Sequence, residues 1–380
     1  MYRNTYVSVD KAVLKENVHN ITDKYREYKY FFGVVKGDAY GHGFHVIDAL
    51  IEGGVNYLAV ATADEAEKVR EINADIPLLC LEPTEEDAFS FFCESNITFT
   101  VDSLEGAREL CGYNFTKKIK VHLKLDTGMN RLGFKNEDEL LEAFSLLKSS
   151  ENTEIEGIYT HLATSGVNDI YYDRQMANFK NLTKNINLSE IPIVHIGRSI
   201  ILVHHDKPDF VNGVRLGICM YGFSGSLPEP SGLRKIKRDF LLKKKGISKS
   251  ILSNDLDLKT AFSLYSQVIS VKKIKKGEFV GYGADFIANE DMTVATLAIG
   301  YFDGMSKKLK NVIINDEKCE IIGEICMDMT AVKVPDTVKC GDKAEIFGDK
   351  ISIRDAAKNL GVNAYRVFTS ISHRVPRIYK

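Results

Sequence analysis

Eight short apolar runs, YFFGVVK, YLAVAT, IPLLCLE, ITFTVD, IKVHLKLD, IEGIYTHLA, IPIVHIG and FVNGVRLG, recur between Tyr30 and Gly217. Each is apolar enough to be buried on both faces, as a parallel strand covered by helices is. Helical spacing fills most of the gaps, in HVIDALIEGG, ADEAEKVREI, TEEDAFSFFCES and EDELLEAFSLLKSS. Eight such units predict an α/β fold, a (β/α)8 TIM-type barrel over roughly residues 11–228. An open doubly wound sheet is the alternative, but the G-x-G-x-x-G expected after its first strand is missing.

From Thr260 the pattern changes. AFSLYSQVISVKKI, EFVGYG, TVATLAIGY, NVIIND, CEIIGEICM, TAVKV and KAEIFG read as strands, and their turns predict a mainly antiparallel β domain over 259–380. SIRDAAKNL and NAYRVFTSIS read as closing helices. YVSVD is a strand expected to place residues 1–10 with that domain, and Asp10 caps a helix running to about Tyr25. Residues 229–258 are basic and polar, and read as a linker or surface insertion.

Bulk properties narrow the function. The 380 residues suit one large and one smaller domain. A net charge of −2 gives no global field for nucleic acid or an anionic membrane. No run is long enough to span a bilayer and the N-terminus has no apolar signal core, so a cytoplasmic protein is expected. The seven cysteines, Cys80, Cys93, Cys111, Cys219, Cys319, Cys326 and Cys340, are odd in number and form no CxxC. They read as free thiols, and no metal site is expected.

In a barrel, function gathers at the carboxyl ends of the strands. Those ends carry Lys36, Thr62, Glu82, Asp102, Asp126, His161, Arg198 and Arg215, with Arg131 in the loop after the fifth strand. A lysine delivered to such a rim can form a Schiff base. Tyr40 and the glycines after it suit an anionic group, because glycine admits close backbone N–H groups. Ser199, Gly217 and Ile218 follow the seventh and eighth strands, where barrels hold phosphates. A lysine plus a phosphate cup suggests pyridoxal 5′-phosphate (PLP).

VVKGDAYGHG, KLDTGMNRLGF, THLA, RLGICMYG, VGYGADF, IGYFDG, GEICMDM and AYRVFTSISHRVPRIY occur in that order. Together they resemble the PLP-dependent alanine racemases, with a barrel and a β domain. The resemblance implies a cofactor-bearing Lys36 that also serves as one base, and Tyr282 as the second base on the opposite substrate face. A free tyrosine titrates near ~10 and needs a partner to act as a base; His161 is the expected one, packed also on the cofactor ring. It further implies a homodimer in which the tyrosine comes from the neighbouring subunit.

Arg215 would face the pyridine nitrogen, making the ring a weaker electron sink. Arg131, the Met327 backbone and Asp328 would serve the substrate carboxylate, and Tyr301 would line the entrance. Tyr40, Ser199, Gly217, Ile218 and Tyr365 would hold the phosphate. Lys124 lies where some relatives carry a carbamylated lysine.

The chain departs from the family pattern at Arg198, where asparagine is usual, at bulky Phe302 and at Arg366. The expected activity is interconversion of L- and D-alanine, with D-alanine destined for peptidoglycan. Tyr365 restricts side-chain space and favours alanine, while serine or broad-specificity racemisation is the alternative. A PLP decarboxylase for basic amino acids would lack the GYG base motif. A PLP carrier would be a barrel alone. A non-catalytic PLP-binding protein would not need both Lys36 and Tyr282.

Overall fold

A computed structural model describes residues 3–164, 170–223, 232, 233, 236, 237, 240 and 256–380, with only the backbone for Arg198, Ile200 and Val203. The chain divides into two compact units. One comprises Met1–Val13, Tyr40–Gly43 and Thr260–Lys380, the other Leu14–Ala39 and Phe44–Lys259. Most of the basic 229–258 segment lies outside the described residues.

Strand β1 (Tyr6–Val9) belongs to the first unit. The larger unit is a closed barrel of β2 (Tyr30–Val34), β3 (Tyr57–Val60), β4 (Leu78–Cys80), β5 (Ile97–Val101), β6 (Ile119–Leu125), β7 (Thr153–Thr160), β8 (Ile193–Arg198) and β9 (Gly213–Leu216). Every neighbour pair is parallel, and β2 closes on β9. The covering helices start on caps the sequence supplies. Thr62, Ser103 and Asn136 each accept a backbone N–H of the first turn.

Helices Leu104–Gly112, Ile170–Leu182 and Ser199–His204 were not singled out by spacing. The first holds two glycines and the last is only 6 residues long. The barrel interior is unusually polar: Tyr57, Thr98, Thr100, His122, Lys124, Glu156, His195 and Arg215 are all buried.

In the smaller unit an eight-stranded sheet runs β13-β16-β15-β14-β17-β10-β1-β18, with β10 pairing β13 as well. These strands are β10 (Phe262–Ile274), β13 (Met292–Leu297), β14 (Asn311–Ile314), β15 (Glu317–Ile321), β16 (Thr330–Val334), β17 (Lys343–Phe347) and β18 (Arg377–Tyr379), beside a ribbon of β11 (Phe279–Val280) and β12 (Phe286–Ile287). β1 is antiparallel to β10 and parallel to β18. EFVGYG is not one strand: Gly281 and Gly283 sit at φ 81° and 71°, which turns the chain after Val280. Gly323 at φ 63° likewise ends CEIIGEICM early. Among the described residues no helix is long and apolar enough to cross a membrane, and no cluster of metal-ligating side chains occurs.

Candidate active site

β2 delivers Lys36 to the barrel rim, and the next residues take an uncommon course. Gly37, Asp38, Ala39 and Tyr40 all lie near φ 50–65°, a left-handed helical turn. Non-glycine residues adopt this conformation at a cost of about 1–2 kcal/mol each. Such strain concentrates at functional sites and persists only where surroundings impose it. Glu65 is one such restraint: its carboxylate accepts from Gly37 N at 2.6 Å and from Ala61 N at 2.8 Å.

Lys36 is half-buried, and its amine makes no hydrogen bond or ion pair with a described residue. Burial lowers its pKa first and the Arg131 charge second, against Glu65 and Glu82. A shed proton leaves a nucleophile.

Arg131 sits on a tightly specified loop. Asp126 Oδ1 accepts from Gly128 N and Asn130 N, at 3.0 and 2.9 Å. Gly133 holds φ 117° with its backbone against Lys124 O, where a Cβ would come within 2.7 Å. Arg131 itself is exposed. Beneath it, Lys124 is buried, with Nζ 5.0 Å from the Tyr159 ring centre. Burial, then Arg215 and Arg131, bring its pKa down to about 7. Arg131 and Arg215 act on both Lys36 and Lys124, so the four form a cationic patch that Glu65 and Glu82 near Lys36, and Asp126 and Asp102 near Lys124, offset only in part, a setting for an anion.

Arg215 lies within β9, not beyond it, and is buried. Its Nη2 donates to Thr160 O at 2.6 Å and lies 3.4 Å from His161 Nδ1. Burial lowers its pKa to about 10, which leaves it charged at neutral pH. Ser199 Oγ is buried and accepts from Gly217 N at 2.9 Å, with Ile218 buried alongside. The barrel therefore brings together Lys36, Arg131, Lys124, Arg215 and His161, and separately Ser199 with Gly217. The Arg198 side chain lies outside the described residues.

The remaining candidates belong to the smaller unit. Tyr40 and Tyr365 face each other with ring centres 5.7 Å apart. The glycines after Tyr40 have another use than the expected approach to an anion. A Cβ on Gly41 would meet Phe368 O at 2.6 Å, and one on Gly43 would meet Tyr379 Oη at 2.0 Å. Tyr301 and Met327 share a backbone ladder: Tyr301 N donates to Cys326 O and Phe302 N to Met327 O, both at 3.0 Å. Tyr282 is 71% exposed on the turn between β11 and β12 and makes no hydrogen bond with a described residue.

Sequence reasoning missed the anchor of that ladder, Asp303. It is fully buried, takes both Arg3 guanidinium nitrogens at 2.7 and 2.8 Å, and accepts from Gly300 N at 2.9 Å. Arg374 joins Asp303 to Asp328, donating at 2.8 and 2.7 Å. Burial works to raise the Asp303 carboxyl, but these donors hold it below the ordinary carboxylate range. The signal available was one acid inside the otherwise apolar and aromatic IGYFDG, which needs a cation once buried. His195, His122 and Glu156, polar residues within buried strands, were also missed.

Comparison with known proteins identifies the family. Residues 9–225 match the family model described as alanine racemase, N-terminal domain, and residues 261–379 the one for the C-terminal domain. The chain is 36% identical to the alanine racemase of Geobacillus kaustophilus, covering 100% of this chain and 95% of that one. It is 33% identical to alanine racemase 1 of Bacillus subtilis, covering 100% and 93%.

Among solved structures, alanine racemase from E. faecalis superposes with a TM-score of 0.87 at 29% identity, covering 100% and 99%. The Bacillus anthracis enzyme, solved with bound L-Ala-P, gives 0.86 at 30%, covering 100% and 96%. A histidine racemase from Leuconostoc mesenteroides gives 0.84 at 25%, covering 100% and 98%. With both domain models matched and relatives above 30% identity over its whole length, the chain belongs to the alanine racemase family.

Proposed function

We propose that the protein is an isomerase that interconverts L-alanine and D-alanine, with pyridoxal 5′-phosphate as its cofactor and a homodimer as its working form. The observation that carries this reading is Lys36: a half-buried amine with lowered pKa and no hydrogen-bond partner among the described residues, in the field of Arg131 and Arg215. That setting fits an aldehyde-bearing, anionic cofactor. When bound, the cofactor supplies an electron sink for charge developing at the substrate Cα.

The chain's own residues would then divide the work. Lys36 holds the cofactor and moves the α-proton on one face of the substrate. Tyr282, supplied by a second copy of this chain, moves it on the other; its exposure leaves it free for that role. His161 is its partner in proton transfer. Arg215 donates toward the ring nitrogen without surrendering a proton. Arg131 would offer a planar fork to the substrate carboxylate, with Met327 and Asp328 on the Asp303-anchored ladder whose backbone pairs with Tyr301 at the entrance. Ser199, Gly217, Ile218, Tyr40 and Tyr365 would hold the phosphate. D-alanine so formed would serve peptidoglycan.

The same fold carries a histidine racemase, so substrate identity needs its own test. Purified protein with PLP is incubated separately with L-alanine, L-serine and L-histidine, and the products are resolved on a chiral column. D-alanine in large excess is expected. Dominant D-serine or D-histidine would reassign the substrate, and no D-product from any would overturn the racemase reading.

A further inference from the structure

The barrel interior contains a continuous polar chain that the reaction as described does not use. Arg215 Nη1 lies 2.6 Å from His195 Nδ1. His195 Nε2 lies 2.9 Å from His122 Nδ1, and His122 Nε2 lies 3.1 Å from Glu156 Oε2. Lys120, half-exposed, closes the far end with Nζ 2.6 Å from Glu156 Oε1. Tyr57 adds a donor to Glu156 Oε2 at 2.7 Å.

Only one assignment of protons satisfies the whole chain. A guanidinium has no acceptor, so His195 Nδ1 is bare and its Nε2 carries the proton. That proton points at His122 Nδ1, which must accept, so His122 carries its own proton on Nε2 and donates it to the carboxylate. Burial holds both imidazoles below their usual pKa, His195 more strongly with Arg215 beside it. They are therefore neutral, as the assignment requires. Every N–H in the series points from Arg215 toward Glu156.

The chain is built into the fold. The barrel's two register shifts fall on it: one at Val121/His122, which leaves Glu156 as the extra residue on β7, and one between His195 and Arg198 on β8. Bulges re-aim side chains next to functional sites. His195 is sandwiched between Phe32 and Tyr159, with ring centres 4.5 and 4.6 Å away and planes within 10° and 13°. At Gly157 a Cβ would stand 2.6 Å from the His122 ring. A barrel filled by apolar side chains would avoid the desolvation of a buried carboxylate, so stability alone does not account for the chain.

We propose that Glu156, acting through His122 and His195, is a positioning residue for the reaction: as the charged acceptor that ends the chain, it strengthens each hydrogen bond in turn and so holds the Arg215 guanidinium at the cofactor's ring nitrogen. This rests on the racemase reading above. A carboxylate at the far end strengthens each acceptor in turn, because linked hydrogen bonds polarise one another. With Nη1 held by His195 and Nη2 by Thr160, the guanidinium plane is fixed before the cofactor arrives.

The test uses 15N-labelled histidine in the full-length, PLP-free protein, followed by kinetics after PLP is added. In the natural protein both imidazoles are expected as single Nε2–H tautomers. Glu156→Gln removes the charge but leaves an acceptor, and Arg215 still requires a bare His195 Nδ1, so both tautomers should persist while the His122 and His195 Nε2–H protons shift upfield as their hydrogen bonds weaken. The kcat of the variant should fall about ten-fold, the scale of one charge-assisted hydrogen bond, with KM changed less than about two-fold. Glu156→Asp, which keeps the charge, should restore most of the downfield Nε2–H shift.

Natural protein with His195 protonated on Nδ1 would overturn the proposal. So would Glu156→Gln with unchanged Nε2–H proton shifts and unchanged kcat. Fixed tautomers in a natural protein that racemises no amino acid would overturn the positioning role together with the racemase reading. That failure is distinguishable, because the histidine spectrum would still stand.

Discussion

Gly37 N–H donates at 2.6 Å to Oε1 of Glu65, tying the left-handed turn after Lys36 to the start of the helix that follows β3. The same carboxylate sits within electrostatic range of the Lys36 amine and moderates the loss of its proton. Position and reactivity of the lysine thus share one restraint. Lys36→Ala is expected to lower kcat by more than about a thousand-fold. It should also abolish the visible absorbance the protein acquires with PLP. Spectra and racemisation rates on one preparation check both, and a variant that racemises normally would remove Lys36 from the site.

Tyr282 projects from a turn whose shape is imposed by Gly281 and Gly283. Tyr282→Phe keeps the ring and removes the hydroxyl. Each direction of racemisation uses one group to remove the α-proton and the other to return it, so kcat/KM from L-alanine and from D-alanine is expected to fall alike, by about a hundred-fold or more, with cofactor binding intact. Initial rates measured from each enantiomer decide this, and equal, unchanged rates would exclude a two-base reaction.

Lys124 should make the PLP-free protein pH-sensitive. Its folded pKa of about 7 lies below the 10.5 of an ordinary lysine. Between those values the unfolded chain binds the extra proton, so the stability from this group rises with pH across that window. Below pH ~7 the full cost of burying the charge is present. Lys124→Met is therefore expected to raise stability by on the order of 3 kcal/mol at pH ~6 and by little at pH ~10. Urea denaturation at fixed protein concentration in carbonate-free buffer measures it. A pH-independent difference would contradict the burial argument.

Gly300 allows the Tyr301 and Met327 segments to lie against each other. A Cβ there would come within 2.3 Å of Met327 O and 2.4 Å of Cys326 O. Both are backbone atoms, so the clash cannot be relieved by a rotamer. Gly300→Ala is expected to cost about 2–3 kcal/mol of stability. On the proposed substrate role of the displaced residues, it should raise KM for alanine more than it lowers kcat. Denaturation midpoints and steady-state kinetics test the two parts, and wild-type KM would separate this ladder from the substrate.

Much of this molecule is legible in its sequence. The eight apolar runs and the caps Thr62 and Asn136 are local signals, and they mark strands and helices that the structure contains. Lys36 and Arg131 stand out because barrel strands deliver their following residues to one rim. VGYG was read as strand because glycine's left-handed φ has no signature in hydrophobic pattern.

The polar filling of the barrel was illegible for a different reason. His122, Glu156, His195 and Arg215 come from four strands, β6 to β9, and each looks like an isolated polar residue in an apolar run. Arg3, Asp303, Asp328 and Arg374 are scattered over the whole chain in the same way. By itself the sequence determined which elements form and which residues reach the rim, since period and capping act between near neighbours. Only the tertiary structure decided which buried charges meet, because barrel closure, two bulges and a few Cβ-free positions set those distances between residues far apart in the chain.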